Sequence, residues 1–227
     1  MSIQHIIFDC DGVLVDSEPL SMRIDVEILA ENGVNISADE AHRRFVGKTF
    51  AAMIAEVERA FGVCCAADAS ARKDQRLLEL FARELKPVDG IEQALRRIGM
   101  DFGMDYSVAS NSPCQRVIEA LRITGLTPFF GQRITTFEHV PLAKPAPDIF
   151  IEAARRAGFP PQACLVVEDS VTGVTAAARA GCKVAGFTGT HQHPDQQAGR
   201  LHAAGARLSF ARMAELPGLV ADFIKHV

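Results

Sequence analysis

From residue 86 onward, short apolar segments alternate with amphipathic helical ones, and this rhythm limits the chain to few architectures. Ser107-Val108-Ala109, Arg133 to Thr136, Cys164-Leu165-Val166-Val167 and Lys183 to Phe187 read as short buried strands. Helical signals lie between them. Ile91, Leu95 and Ile98 share one helical face, and Ser112-Pro113 reads as an N-cap followed by proline at the first helical position, with Gly125 as the stop. A helix starts near Pro147, and Ser170 and Gly181 bracket another. Strands that alternate with helices predict a parallel sheet covered by helices.

Residues 3–8, ending in Ile6-Ile7-Phe8, supply a first strand ahead of this series. Between it and residue 86 the texture is helical throughout. Met22, Val26, Ile28 and Leu29 mark one apolar face, ending at Asn32-Gly33. Met53, Ile54, Val57 and Phe61 mark a second, closed by Gly62, and Leu77, Leu78, Phe81 and Leu85 a third. The chain therefore reads as an α/β protein. Its doubly wound, Rossmann-like parallel-sheet core comprises 1–17 and 86–227, and an α-helical domain, 18–85, is inserted after the first strand.

The 227 residues, 48% hydrophobic and 23% charged, suit one soluble globular protein of this size. A net charge of −4 gives no basic footprint for nucleic acid. No stretch approaches the roughly 18 uninterrupted apolar residues of a membrane span. Asp9 and Asp11 interrupt the N-terminus before the apolar core of a secretory signal could form, so a cytoplasmic location is expected, with a monomer as the simplest state. The six cysteines (10, 64, 65, 114, 164 and 182) match no zinc spacing and are expected to be reduced, small hydrophobes.

Each strand candidate runs into polar residues suited to chemistry. The first delivers Asp9 and Asp11, followed at once by Gly12; the second delivers Ser110 and Asn111. Val166-Val167 leads into Glu168-Asp169-Ser170, and Lys144 follows the Arg133–Thr136 strand in the loop Ala143-Lys144-Pro145. In open α/β sheets ligands bind beyond the carboxyl ends of the strands, so these groups should converge. Asp9, Asp11, Glu168 and Asp169 would then crowd up to four carboxylates together, where like charges raise each other's pKa or repel unless a cation is present. With no thiolate or imidazole in these loops, Mg²⁺ is the expected ion. Lys144 adds a positive charge and Ser110 and Asn111 add neutral donors, together placed for a phosphoryl group.

Asp9–Val13, Val108-Ala109-Ser110-Asn111, Lys144-Pro145 and Val167-Glu168-Asp169-Ser170 resemble, in order and spacing, the four motifs of the haloacid dehalogenase superfamily. The helical insertion after the first motif is similar to its β-phosphoglucomutase-like branch, and similarity to 6-phosphogluconate phosphatases is a narrower expectation. The resemblance implies that Asp9 is a nucleophile forming an aspartyl-phosphate and that Asp11 is the acid/base. It implies a Mg²⁺ held by Asp9, the Asp11 carbonyl and Asp169, with Glu168 as a further candidate. Ser110 and Lys144 would bind the phosphoryl oxygens, and Asn111 would add a substrate contact. The dehalogenase branch lacks an acid at the Asp11 position, so phosphoryl chemistry is expected here.

A phosphatase acting on a sugar or sugar-acid phosphate is the favoured reading. Its rivals are a phosphoglucomutase, a phosphonate hydrolase and a binding protein without turnover. Ser21 stands where β-phosphoglucomutase carries a cap histidine, which weighs against the mutase. Lys48, in the turn Gly47-Lys48-Thr49, is expected to point from the cap to the site and read an anionic substrate body. Arg43, Arg44, Lys73 and Arg76 read as a solvated helix face, and His191-Gln192-His193 as an exposed loop rather than a metal pair.

Overall fold

The computed structural model describes residues 2–45 and 50–225, so Lys48 and its turn lie outside the described residues. The chain divides into two compact units, Met1–Asp16 with Lys86–Val227, and Ser17–Leu85.

The first unit is built on a sheet of parallel strands: β1 His5–Phe8, β2 Tyr106–Ser110, β3 Ile134–Thr136, β4 Cys164–Glu168, β5 Lys183–Phe187 and β6 Leu208–Phe210. Their order is β3-β2-β1-β4-β5-β6. The four residues of β1 and the five each of β2 and β4 are all buried, as expected for central strands covered on both faces. Alternation along β1 sends Ile7 and Phe8 to opposite faces. Ile7 joins Ala109, Val166 and Val184 in a core completed by Ile149, Phe150, Val174 and Ala177. Phe8 meets Tyr106 and Phe130 edge-on, at 5.9 and 6.0 Å between ring centroids. Each such side chain stabilises the fold by about 1.5–3 kcal/mol relative to exposure.

Helices of this unit are α5 Ile91–Phe102, α6 Cys114–Ile123, the one-turn α7 Thr127–Phe130, α8 Asp148–Ala157, α9 Val171–Ala180, α10 Pro194–Ala204 and α11 Leu216–Lys225. The strand order reverses at β1 and β4: β2 and β3 lie to one side, β5 and β6 to the other. The carboxyl ends of β1 and β4 therefore border the crevice where such sheets bind ligands. Where the chain leaves this unit and returns, the two segments run side by side: the Asp16 amide donates to the Lys86 carbonyl at 3.0 Å, and the Val88 amide to the Leu14 carbonyl at 3.0 Å.

The second unit holds α1 Glu18–Glu31, α2 Ala38–Phe45, α3 Phe50–Phe61 and α4 Ala69–Glu84. Leu29, Val34, Ala41, Phe45, Met53 and Val57 form its core. The expectation of a solvated basic face fails at Lys73. Its ammonium is buried, 2.6 Å from Asp25 and 4.7 Å over the Phe50 ring, because burial of this length of α4 demands a partner for the charge. Arg76 pairs with Glu31 at 2.6 Å and Arg44 with Glu56 at 3.1 Å. Among the described residues, no helix is long and apolar enough to cross a membrane.

Candidate active site

Asp9 continues β1 beyond the ladder, its amide donating to the Val167 carbonyl at 3.0 Å. That bond, with the β1–β4 register Phe8↔Val167, sets Asp9 beside Glu168 at the end of the neighbouring strand. Oxygens of Asp9, Glu168 and Asp169 lie within 4.8 Å of one another, and all three residues are buried. Lys144 reaches into them from the loop after β3. Its Nζ donates to Asp9 Oδ1 at 2.6 Å, to Glu168 Oε1 at 2.6 Å and to the Ala109 carbonyl at 2.8 Å, which engages all three ammonium protons. The same ammonium stands 5.0 Å over the Phe150 ring.

Two glycines make this crowding possible. Gly12 has φ +79°, and a Cβ there would lie 2.2 Å from Asp169 Oδ2, so the turn after Asp11 can approach Asp169 only without a side chain. In the first turn of α9, a Cβ on Gly173 would lie 1.8 Å from Glu168 Oε1. Glu168 is wholly buried and uses both oxygens: Oε1 accepts from Lys144, and Oε2 accepts from the Ser170 amide at 3.1 Å and hydroxyl at 2.9 Å. Ser170 in turn caps α9 by accepting from the Gly173 amide at 3.0 Å.

The electrostatics follow from these positions. Burial first, then the nearby charges of Glu168, Asp169 and Asp11, push Asp9 well above the usual carboxylate range, against the pull of Lys144. Burial works against the Lys144 charge, but Asp9 and Glu168 more than offset it and hold the ammonium above its ordinary value. Burial also pushes the Cys10 thiol up, with Asp11 and Asp9 adding to it, so this cysteine is no nucleophile at neutral pH.

Ser110 is buried at the end of β2, its Oγ accepting from the Ser112 amide at 3.0 Å, so the hydroxyl is held by its oxygen. Asn111, expected to contact substrate, is paired with the Lys144 backbone: its Oδ1 accepts from the Lys144 amide at 3.0 Å and its Nδ2 donates to the Lys144 carbonyl at 3.2 Å. This couples the loops after β2 and β3 and fixes the root of the lysine. Ser112 differs from its expected role as an N-cap. α6 begins at Cys114 with no side-chain cap; the Cys114 amide donates to Glu138 Oε2 at 3.0 Å. The Ser112 hydroxyl donates to Asp11 Oδ2 at 2.5 Å and accepts from Arg116 at 2.6 Å.

His191 departs from the exposed-loop reading. Its Nε2 lies 3.1 Å from Asp169 Oδ2, and the side chain is 17% exposed. The loop after β5 and the first turn of α10 are each tied to the site, by Thr190 Oγ1 donating to the Gly12 carbonyl at 2.9 Å and by Gln197 Nε2 donating to the Asp169 carbonyl at 2.6 Å. Asp9, Asp11, Ser110, Lys144, Glu168 and Asp169 thus meet at one end of the sheet, joined by Ser112 and His191, whose sequence context points to other roles, and by Arg116 and Gln197, which local sequence pattern does not single out. A signal for His191 existed, since its polar loop also follows the carboxyl end of a strand.

The donor set is all oxygen: buried carboxylates outnumbering one ammonium. It fits a hard divalent cation, because in its absence Asp9, Glu168 and Asp169 repel one another in a poorly solvated place.

The family model of haloacid dehalogenase-like hydrolases matches residues 3–181. A solved haloacid dehalogenase-like protein of Agrobacterium tumefaciens is 35% identical, with a TM-score of 0.85 over 97% of this chain and 98% of its own. The 6-phosphogluconate phosphatase of Escherichia coli is 28% identical over 80% of this chain and 81% of its own length. The chloroplastic SUPPRESSOR OF QUENCHING 1 protein of Arabidopsis thaliana is 33% identical over 80% of this chain, but the match spans only 17% of that much longer protein. The chain belongs to the haloacid dehalogenase-like hydrolases.

Proposed function

We propose that this hydrolase is a Mg²⁺-dependent phosphatase of a small phosphorylated metabolite, a sugar or sugar-acid phosphate, working through an aspartyl-phosphate on Asp9. The observation that carries the reading is Asp9 itself, a buried carboxylate at the strand end, gripped by Lys144 and facing Glu168 and Asp169. Lys144, together with a cation among these carboxylates, would hold Asp9 as the anion that attacks an electrophile, against the burial and like charges that favour its protonated form.

Asp9, Asp169 and the Asp11 carbonyl would hold Mg²⁺, with Glu168 beside them; bound there, the ion would neutralise charge on phosphoryl oxygens and on Asp9. The chain's own groups do the rest. An Asp9 oxygen attacks phosphorus as the bond to the leaving oxygen breaks, and Asp11 gives that oxygen its proton. Water then attacks the aspartyl-phosphate, passes a proton to Asp11, and phosphate leaves with Asp9 restored. Ser110 donates its hydroxyl proton to a phosphoryl oxygen, and Lys144 contributes its charge beside Asp9. Asn111 serves the same end indirectly, by fixing Lys144. The helical unit, inserted directly after the Asp9–Asp16 segment, is the candidate for selecting substrate, with Lys48, which lies outside the described residues, as its candidate contact to an anionic body. The E. coli phosphatase of 6-phosphogluconate supports the substrate class.

The test is phosphate release from a panel of sugar, sugar-acid, glycolate and nucleotide phosphates, with Mg²⁺ or with EDTA. Release from sugar or sugar-acid phosphates is expected only with Mg²⁺, and Asp9→Asn should lower it by at least about 10³-fold while the thermal transition stays cooperative. Turnover by Asp9→Asn at the parent rate would remove Asp9 as nucleophile.

A further inference from the structure

Ser112 and Arg116 carry no role in the reading above, yet Ser112 bonds directly to the Asp11 carboxyl and Arg116 bonds to Ser112. The Ser112 hydroxyl is buried and donates to Asp11 Oδ2 at 2.5 Å. Arg116, one turn further along α6, donates through Nη2 to the same hydroxyl oxygen at 2.6 Å. A guanidinium can only donate, so it takes a lone pair of the hydroxyl and leaves the hydroxyl proton to Asp11. The Ser112 amide is itself fixed on Ser110 Oγ at 3.0 Å, so the hydroxyl has a rigid root.

We infer that Arg116 and Ser112 form a relay that positions the Asp11 carboxyl for proton transfer. The inference rests on Asp11 being the acid/base of the phosphatase reading. The chemistry gives the relay a direction. As the phosphorus–oxygen bond to the leaving group breaks, Asp11 loses its proton to that oxygen and becomes a carboxylate. A hydroxyl donating to a carboxylate makes a shorter and stronger bond than one donating to a neutral acid. Polarisation of that hydroxyl by Arg116 strengthens it further. The relay thus gains as the proton leaves, which is the condition for helping the reaction rather than merely holding a side chain. Ser112 and Arg116 are positioning residues, acting through Asp11.

The leaving group tests this. 2,4-Dinitrophenolate departs without a proton, whereas phenolate needs one, so loss of acid catalysis shows in kcat/KM for phenyl phosphate and spares 2,4-dinitrophenyl phosphate. Asp11→Asn, measured first, should show that contrast. Ser112→Ala and Arg116→Met should each lower kcat/KM for phenyl phosphate about tenfold more than for 2,4-dinitrophenyl phosphate, a part of the roughly 10²–10⁴-fold that acid–base catalysis supplies. Ser112→Thr, which keeps the hydroxyl, should restore most of the loss. No contrast in Asp11→Asn would overturn the acid/base role and the relay with it. A contrast in Asp11→Asn, with equal losses on both substrates in Ser112→Ala and Arg116→Met, would overturn the relay alone. If Ser112→Ala loses its cooperative thermal transition, Arg116→Met decides the matter from the other end.

Discussion

His5 stands at the start of β1, far along the strand from Asp9, and gives the fold a pH dependence of its own. Its ring is buried, stacked on Phe159 at 5.5 Å, with Nε2 2.8 Å from Ser107 Oγ. Nδ1 has no partner among the described residues, so the imidazolium would bury a second donor unsatisfied. Burial first, with the Arg133 charge beside it, lowers its pKa from 6.5 to about 4, while Asp105 opposes the shift. Above pH 6.5 the ring is neutral in both folded and unfolded chains and contributes no slope. As pH falls from 6.5 to 4 the unfolded chain binds a proton that the folded one resists, so stability is lost through that window. The loss should approach about 3 kcal/mol by pH 4. Urea unfolding between pH 7 and 4 should show a shallower decline for His5→Gln than for the parent; parallel declines would remove His5 as the cause. Single residues also mark where the sequence stopped being legible. Asp9, Asp11, Ser110, Lys144 and Glu168-Asp169 could be found because each follows an apolar strand. Ser112 and His191 also follow strands, but their partners could not be read, because Asp11 and Asp169 are remote in the chain and brought near only by the order of the strands.

At the scale of elements, α9 shows a helix shaped by the site rather than by helix propensity. Gly173 in its first turn costs helix stability, and alanine would ordinarily recover about 1 kcal/mol. Here a Cβ would meet the Glu168 carboxylate at 1.8 Å, and that carboxylate is fixed by Lys144 and Ser170. Overpacking costs about 1–3 kcal/mol, more where a buried ion pair is pushed apart, so the clash outweighs the propensity. Gly173→Ala is therefore expected to lower both the melting temperature and turnover. Gly199 in α10 is the control: nothing lies within 4 Å of its Cβ position, and Gly199→Ala should raise stability by up to about 1 kcal/mol with activity unchanged. A stable, active Gly173→Ala would mean that Glu168 need not sit where it does. The same elements explain what periodicity could and could not show. β1, β2, β4 and β5 are buried apolar runs and were legible as strands. β6 is three residues long with only Phe210 buried, and such an edge strand carries almost no pattern.

For the whole molecule, the site is a liability to folding that a cation would relieve. The buried carboxylates of Asp9, Glu168 and Asp169 face one buried ammonium, and Asp9 is driven above its ordinary range mainly by that burial and by those neighbours. The fold must supply this cost from the remainder of its core. Two opposite consequences follow for Asp169→Asn, which keeps the shape of the side chain and removes a charge. In EDTA the variant should melt above the parent, because repulsion around Asp9 is reduced. With Mg²⁺ added the order should reverse. A ligand that binds only the folded chain stabilises it by about 2.7 kcal/mol at a hundred times its Kd, and the variant, lacking one proposed ligand oxygen, should gain far less. Melting curves across a Mg²⁺ titration read both effects without any substrate. A crossing of the two curves is the expected result. Parallel gains in parent and variant would show that Asp169 does not hold the ion, and a parent indifferent to Mg²⁺ would locate the compensation for these charges in the protein itself, with Lys144 as its source.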